Sequence, residues 1–174
     1  MSKMELKKRS LLSTIKTEAI FLGPTRAVCD KKIRTLCLCP YHAHPHGCPN
    51  FGIHKDCPPN VRFFPKIFDE RDVYIAAVSL DFKTYVERRK QIHPMWTERA
   101  LKNPRHWQGY LRSVLKKFTN EQKEKLPEGY ELLTNPEAMG VNLTQTCSNV
   151  GLVLEWPPER KVYKIALFAK EKNK

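Results

Sequence analysis

The sequence lacks the patterns that mark membrane proteins and most enzyme classes. No apolar run approaches the roughly 18 residues that a membrane helix needs, and LLSTI is too short and too polar for a signal-peptide core. There is also no phosphate-binding glycine loop, dinucleotide fingerprint, zinc-protease helix, nucleophile elbow or C-x₃-C-x₂-C motif of radical-SAM enzymes. These absences predict a cytoplasmic protein with reduced thiols and no membrane partner, and they leave its reaction open.

Acidic residues are scarce, with 18 Asp and Glu against 31 Lys and Arg, a net charge of +13. The excess is concentrated in residues 1–35 (nine basic against three acidic, +6) and residues 83–125 (twelve against four, +8). Clustered positive charge is typical of proteins that bind nucleic acid, so nucleic acid is the predicted partner, RNA before DNA. The alternative is a basic surface that serves only solubility.

The hydrophobic content of 41% over 174 residues predicts one globular domain over residues 1–174, with an α/β core at 73–169. VYIAAVSL (73–80) is a near-continuous apolar run, as in a central strand that is covered on both faces. Local patterns predict further strands at AIFLG (closed by Gly23-Pro24), 130–134, 152–156 and 162–169, the last two as a hairpin. They predict helices from Asp81 to about Gln91, from Thr97 with a restart at Asn103-Pro104, and over 141–150. The expected fold is a three-layer α/β domain with a mixed sheet.

The segment from Cys29 to Asn60, which we call the cysteine loop, holds five of the six cysteines and four of the six histidines. Cys39, Cys48 and Cys57 recur every nine residues, and each is followed by proline. The segment has no helix or strand period, so we expect a bound metal centre to order it. Cysteine thiolates that converge suit Zn²⁺ or an iron–sulfur cluster.

Zinc sites usually draw their ligands from close C-x₂₋₄-C pairs, whereas long spacing with Cys-Pro pairs is typical of a [4Fe–4S] loop. We therefore expect a 4Fe-4S cluster, with zinc as the alternative. The histidines at 42, 44, 46 and 54 could complete a zinc site. The cations Lys31, Lys32 and Arg34 are expected to lower the pKa of nearby thiols and to attract an anion such as phosphate.

CPNFG (48–52) followed by CPP (57–59) resembles the signature of an uncharacterised family of predicted metal-binding proteins. That family carries Cys-Pro-Asn-Tyr-Gly, then Cys-Pro-Pro, and later a Glu-Ala-aromatic-or-Met-Gly turn similar to EAMG at 137–140. The resemblance implies that Cys48 and Cys57 are metal ligands. An upstream cysteine would be the third, with Cys37 preferred and Cys29 and Cys39 left open. Larger members carry a further ferredoxin-like cysteine set, which this chain lacks.

Two further sets of residues are candidates for function. Glu137 follows the predicted strand 130–134 at its carboxyl end, where open α/β sheets bind ligands, so it could act as an acid or base. It could equally serve as a helix N-terminal charge. Arg105, Arg112 and Lys116 recur at i, i+7 and i+11 on a predicted helix, a basic stripe suited to a phosphate backbone.

Three functions are compatible with these features of the sequence. The first is a cluster-dependent enzyme that acts on nucleic acid or a nucleotide, for example by sulfur chemistry on an RNA base. The second is a zinc-stabilised module that binds nucleic acid or a ribonucleoprotein without catalysis. The third is a metal-carrying or redox-sensing protein without a nucleic-acid partner.

Overall fold

The computed structural model describes residues 11–40 and 44–172 as an α/β fold around a four-stranded antiparallel sheet. The strands are β1 (Thr17–Thr25), β2 (Phe68–Asp81), β3 (Tyr130–Leu133) and β4 (Lys161–Glu171), in the order β1-β2-β4-β3. The α-helices are α1 (Phe82–Ile92), α2 (Glu98–Leu101), α3 (Gln108–Lys123) and α4 (Leu143–Ser148). Short 3₁₀-helices cover Lys31–Leu38, Phe64–Lys66, Pro104–His106 and Pro136–Met139.

The predicted α/β class is confirmed, but the sheet is antiparallel and not mixed. β3 runs antiparallel to β4, with Tyr130 opposite Lys170 and Leu133 opposite Leu167. Local apolar runs identify strands but carry no information on strand direction, which explains the error. The three-layer arrangement stays a prediction.

Strand β2 is an interior strand of the sheet, as its sequence predicts. Val73, Ile75, Ala76, Ala77, Val78 and Leu80 are all fully buried. Because successive side chains of a strand point to opposite faces, burial of consecutive residues means that both faces of β2 are covered.

Helix α1 begins where the sequence predicts, because the Asp81 side chain accepts a hydrogen bond from the Thr84 N–H at 3.0 Å. Thr97 caps α2 in the same way, and Asn103 caps the 3₁₀-helix Pro104–His106. Helix α3 buries Leu111, Leu115, Thr119 and Gln122, spaced for one helical face. Side-chain caps therefore account for where these helices begin, and apolar periodicity accounts for the face that α3 buries.

Three predicted elements differ from the structure. Residues 152–155 form no strand, so the expected hairpin with 162–169 is absent from the described part of the chain. Leu152 is buried, but Val153 is 72% and Trp156 73% exposed, so this segment lacks the partners of a sheet strand. Helix α4 is shorter than the predicted 141–150, and β1 runs through Gly23-Pro24 instead of ending there.

By contact density the chain divides into two compact units, and each strand other than β3 passes through both. One unit takes the described residues up to Ile20, Ala76–Glu124 and Leu154–Ile165. It contains α1, α2 and α3. The other takes Phe21–Ile75, Lys125–Val153 and the described residues from Ala166 onward, and it contains the cysteine loop. No helix in the described part of the chain is long and apolar enough to cross a membrane.

Candidate metal centre

The first part of the cysteine loop is the 3₁₀-helix Lys31–Leu38, which the sequence did not predict. Asp30 begins it by accepting the Lys32 N–H at 2.8 Å, and the Asp30 N–H donates to the Gly140 carbonyl at 2.8 Å. A 3₁₀-helix has three residues per turn, so side chains at i, i+3 and i+6 share one face. Lys31, Arg34 and Cys37 therefore lie in line along this helix.

Arg34 ties the 3₁₀-helix to the segment that follows Cys57. Its Nη2 donates to the carbonyl of Val61 at 2.7 Å and to that of Pro59 at 3.2 Å. Charge-assisted bonds to two carbonyls hold the guanidinium in one place. The helix that carries Cys37 is thereby held beside the Cys57 segment.

A second contact places Cys48 beside Cys37. The Cys48 N–H donates to the Cys37 carbonyl at 2.7 Å. Gly47 precedes it with φ +85°, and a Cβ there would lie 2.5 Å from the Cys37 carbonyl oxygen. Only glycine allows both this backbone conformation and this close approach.

The remainder of the cysteine loop is held by turns. The Gly52 N–H donates to the Pro58 carbonyl at 2.8 Å, and the Cys57 N–H donates to the His54 carbonyl at 3.1 Å. Asn60 donates from Nδ2 to the carbonyls of Gly52 and His54. These hydrogen bonds and Arg34 contribute to the order of the segment, and the metal centre expected to order it stays a prediction.

The thiols of Cys37, Cys48 and Cys57, which we call the thiol cluster, are near enough to act on one another electrostatically. Burial raises the pKa of Cys37, and negative charge on Cys48, Cys57 and Glu137 raises it further. Burial and the Cys48 charge likewise raise the pKa of Cys57. Arg34 lowers the pKa of Cys37, but by less. The expected effect of a cation is therefore present at Cys37, but burial and the neighbouring negative charges outweigh Arg34, so the net shift of the Cys37 pKa is upward.

The other cysteines have different surroundings. Cys29 pairs through its backbone with Val141, and burial together with Glu70 raises its pKa to about 12. Cys39 is exposed at the end of the 3₁₀-helix, and Cys147 is buried in α4. All six thiols are free. Cys37 is thus the upstream cysteine that the structure groups with Cys48 and Cys57.

Glu137 lies in the 3₁₀-helix Pro136–Met139, which packs against the helix that carries Cys37. Its carboxylate is exposed and raises the pKa of both Cys37 and Cys147. The EAMG turn therefore lies beside the helix that carries Cys37. The strand-edge argument for Glu137 is wrong, since the carboxyl ends of neighbouring antiparallel strands lie at opposite edges of the sheet.

The turn at 137–140 ends in glycine because its last position, Gly140, leaves no room for a side chain. It has φ +91°, and a Cβ there would lie 2.5 Å from the ring of Phe63. Phe63 thus packs directly over the turn that carries Glu137.

The donor set of the thiol cluster fits a metal centre in its chemistry, since three thiolates with an open position suit zinc or an iron–sulfur cluster. Within residues 11–40 and 44–172, however, no group of three His, Cys, Asp or Glu side chains is arranged to hold a metal ion. Metal binding would require the thiols to lose their protons. Of the candidate histidines, His54 pairs with Asp56 at 3.8 Å, and His42 lies outside the described residues.

The predicted basic stripe is divided between two helices. Arg112 and Lys116 are exposed on α3, four residues apart on one face. Arg105 belongs to the preceding 3₁₀-helix Pro104–His106, so the i, i+7, i+11 line of one helix does not hold. Lys31 and Lys32 are exposed, whereas Arg34 is half-buried.

Two further cations, which lie in one cleft with Arg34, were not predicted from the sequence as site residues. Arg62 and Lys66 lie in the segment VRFFPK, which reads as an irregular aromatic turn. With Lys31 and Arg34 they line one cleft. The available signal was the return of basic residues directly after the Cys-Pro-Pro element.

Comparison with protein-family models, with curated proteins and with solved structures finds no match to this chain. The resemblance to the metal-binding family stays a prediction.

Proposed function

We propose that Cys37, Cys48 and Cys57 together bind one metal centre, a 4Fe-4S cluster, in a protein that acts on nucleic acid, with RNA the expected partner. One observation carries the proposal. The Cys48 N–H bond to the Cys37 carbonyl, with Arg34 bonded beyond Cys57, gathers three separate parts of the loop around the thiols. Cysteines from separate turns are the usual ligands of such a cluster.

A cluster held by three thiolates keeps one iron open for sulfur or a substrate, and this is the chemistry it would supply. Glu137 lies beside Cys37 and could hold or receive a proton there. The exposed cations Arg112 and Lys116 on α3, together with the net charge of +13, support a nucleic-acid partner.

A second candidate is a zinc-stabilised module that binds nucleic acid without catalysis. The position of Glu137 beside Cys37 favours it, because zinc accepts a carboxylate as a fourth ligand next to three cysteines. Glu137 would then be a ligand and not an acid or base.

Metal and sulfide analysis after anaerobic purification tests the centre. We expect a brown protein with iron and sulfide in the wild type and loss of both in Cys48→Ser. Cys39→Ser is the matched control, because Cys39 is exposed at the end of its helix. Colourless protein with stoichiometric zinc would select the second candidate. Equal metal content in the wild type and Cys48→Ser would contradict both.

RNA binding is tested by the dependence of affinity on salt concentration. Replacing Arg112 and Lys116 by Glu should weaken binding and reduce the slope by roughly one unit for each lost phosphate contact. The control replaces Lys83 and Lys90, exposed cations on α1, with the same change of charge. Equal losses in the two double variants would mean that net charge alone drives binding.

A further inference from the structure

A cleft of about 410 Å³ lies beside the 3₁₀-helix Lys31–Leu38, within the unit that contains the cysteine loop. We call it the basic cleft. Its lining includes four cations, one amide and one aromatic ring, from Lys31, Arg34, Arg62, Lys66, Asn60 and Phe63. Its volume falls in the range of small-molecule sites.

The charge of the basic cleft is of one sign, since none of the described residues that line it is acidic. Lys31 and Arg34 come from one face of the 3₁₀-helix, and Arg62 and Lys66 from the chain after the cysteine loop. Four cations from two segments repel one another unless an anion compensates them. Such an arrangement favours a ligand with more than one negative charge.

Arg34 is the fixed cation of this set. Its Nη2 is held by the carbonyls of Pro59 and Val61, while its Nε is buried without a hydrogen-bond partner among the described residues. These carbonyls are neutral and do not compensate the positive charge of the half-buried Arg34, which an anion in the cleft would compensate. Arginine and lysine together are the usual partners of phosphate in proteins.

Phe63 adds an apolar surface to the lining. The Lys31 ammonium lies 5.8 Å from the centre of its ring, so the ring borders the charged part of the cleft. An aromatic side chain beside phosphate-binding cations can stack a base while the cations hold the phosphates.

From these contacts we propose that the basic cleft binds a nucleotide through its phosphate groups, either as a free nucleotide or as the 5′-phosphorylated end of an RNA strand. The site goes beyond the proposed metal centre and does not depend on it, since none of the residues named here is a thiol. Arg34 connects the two, because it borders both the cleft and Cys37.

Calorimetric titration of the whole chain at low salt with pyrophosphate, AMP and ATP tests the proposal. Affinity should rise from AMP to ATP, and pyrophosphate alone should compete with ATP. A short single-stranded RNA with and without a 5′-phosphate distinguishes the two sources of the ligand. Preference for the phosphorylated end would assign the cleft to RNA, and equal binding of both strands alongside tight ATP binding would assign it to the free nucleotide.

The decisive comparison is between two double variants. Replacing Arg62 and Lys66 by Glu reverses two charges in the cleft, whereas replacing Lys55 and Lys125 by Glu reverses two exposed charges of the same unit outside its lining. We expect a loss of at least about tenfold in ATP affinity for the first and less than about twofold for the second. Equal losses, or no phosphate binding by the wild type, would overturn the proposal.

Measuring the metal content distinguishes a failure of the basic cleft from a failure of the proposed metal centre. The Arg62→Glu/Lys66→Glu variant should retain the metal of the wild type while it loses ATP. A protein that binds ATP but never metal would leave the cleft standing and remove the proposed metal centre. A protein that contains metal but binds no phosphate would support the metal centre and overturn the proposal for the basic cleft.

Discussion

The cysteine loop and the helical segment from Asp81 to Lys123 are ordered by different interactions. The helical segment buries Leu111 completely, and its helices start at side-chain caps such as Asp81 and Thr97. The 3₁₀-helix of the cysteine loop has no buried residue, and Leu36 and Ile53 are 61% and 80% exposed. Apolar burial stabilises the first region, whereas hydrogen bonds to carbonyl groups hold the second.

This difference predicts that the two regions respond to different mutations. Disrupting the core should lower global stability, while disrupting a carbonyl contact should loosen the loop locally. Four substitutions, in order of expected effect, examine that separation.

Leu111→Ala should have the largest effect, because Leu111 is fully buried in α3. Removing a buried leucine costs about 2–5 kcal/mol, which lowers Tm by roughly 5–15 °C in a chain of this length. Thermal unfolding followed by circular dichroism measures the change. Met95→Ala is the control, since Met95 is 92% exposed and should alter Tm little. Equal shifts would mean that Leu111 is not part of the core.

Gly47→Ala should come next and should act on the thiol cluster. Alanine would be strained at φ +85° and would lie 2.5 Å from the Cys37 carbonyl oxygen, for a combined cost of at least about 2 kcal/mol. Gly52→Ala is the matched control, because Gly52 has φ +75° but open space around its Cβ position. It should cost only about 1 kcal/mol. Chemical denaturation measures both, and equal costs would show that the Cys37 contact is unimportant.

Arg34→Lys should loosen the cysteine loop without affecting α3. Lysine is one bond shorter than arginine and replaces the planar guanidinium with a flexible ammonium, so it should hold the carbonyls of Pro59 and Val61 less firmly than Nη2 does. We expect faster amide hydrogen exchange at Gly52, Cys57 and Val61, with a local cost of about 1–2 kcal/mol. Unchanged exchange there, or an equal increase within α3, would contradict the separation of the two regions.

Asp81→Ala should have the smallest effect, about 1 kcal/mol at neutral pH, through loss of the α1 cap. The hydrogen bond from the Thr84 N–H is the main cause that lowers the pKa of Asp81 below its usual 3.8. A lowered folded-state pKa means that the contribution is present above pH 3.8 and is lost as the pH falls further.

Asp81→Asn is the control for this pH dependence, because asparagine caps a helix without an ionisable group. Denaturation at neutral pH and at successively lower pH should show that wild type approaches Asp81→Ala in stability only under acid conditions, while the difference between Asp81→Asn and Asp81→Ala does not depend on pH. A gap between wild type and Asp81→Ala that is independent of pH would contradict a role for the carboxylate.

The elements that could be predicted from the sequence are those whose cause is local. Asp81, Thr97 and Asn103 are capping residues followed by helical periodicity, and the structure has helices at all three. Strand β2 was predictable because a continuous apolar run requires covering on both faces. The direction of its neighbours was not, because pairing depends on residues far away in the chain.

The sequence indicated which residues of the cysteine loop matter, but it did not predict how the loop folds. The sequence drew attention to Cys37, Cys48 and Cys57, and the structure groups these three thiols. It did not predict the 3₁₀-helix, because a period of three residues matches neither the strand period of two nor the α-helix period of 3.6. The basic cleft was also missed, because Lys31 and Lys66 are 35 positions apart and meet only after folding.

The three-residue period of the helix Lys31–Leu38 limits how this segment can vary in length. Adding one residue between Arg34 and Cys37 would rotate the thiol by about 120° relative to the guanidinium, away from Cys48. Adding three residues would restore its direction. In related chains, length changes at this point should therefore occur in steps of three.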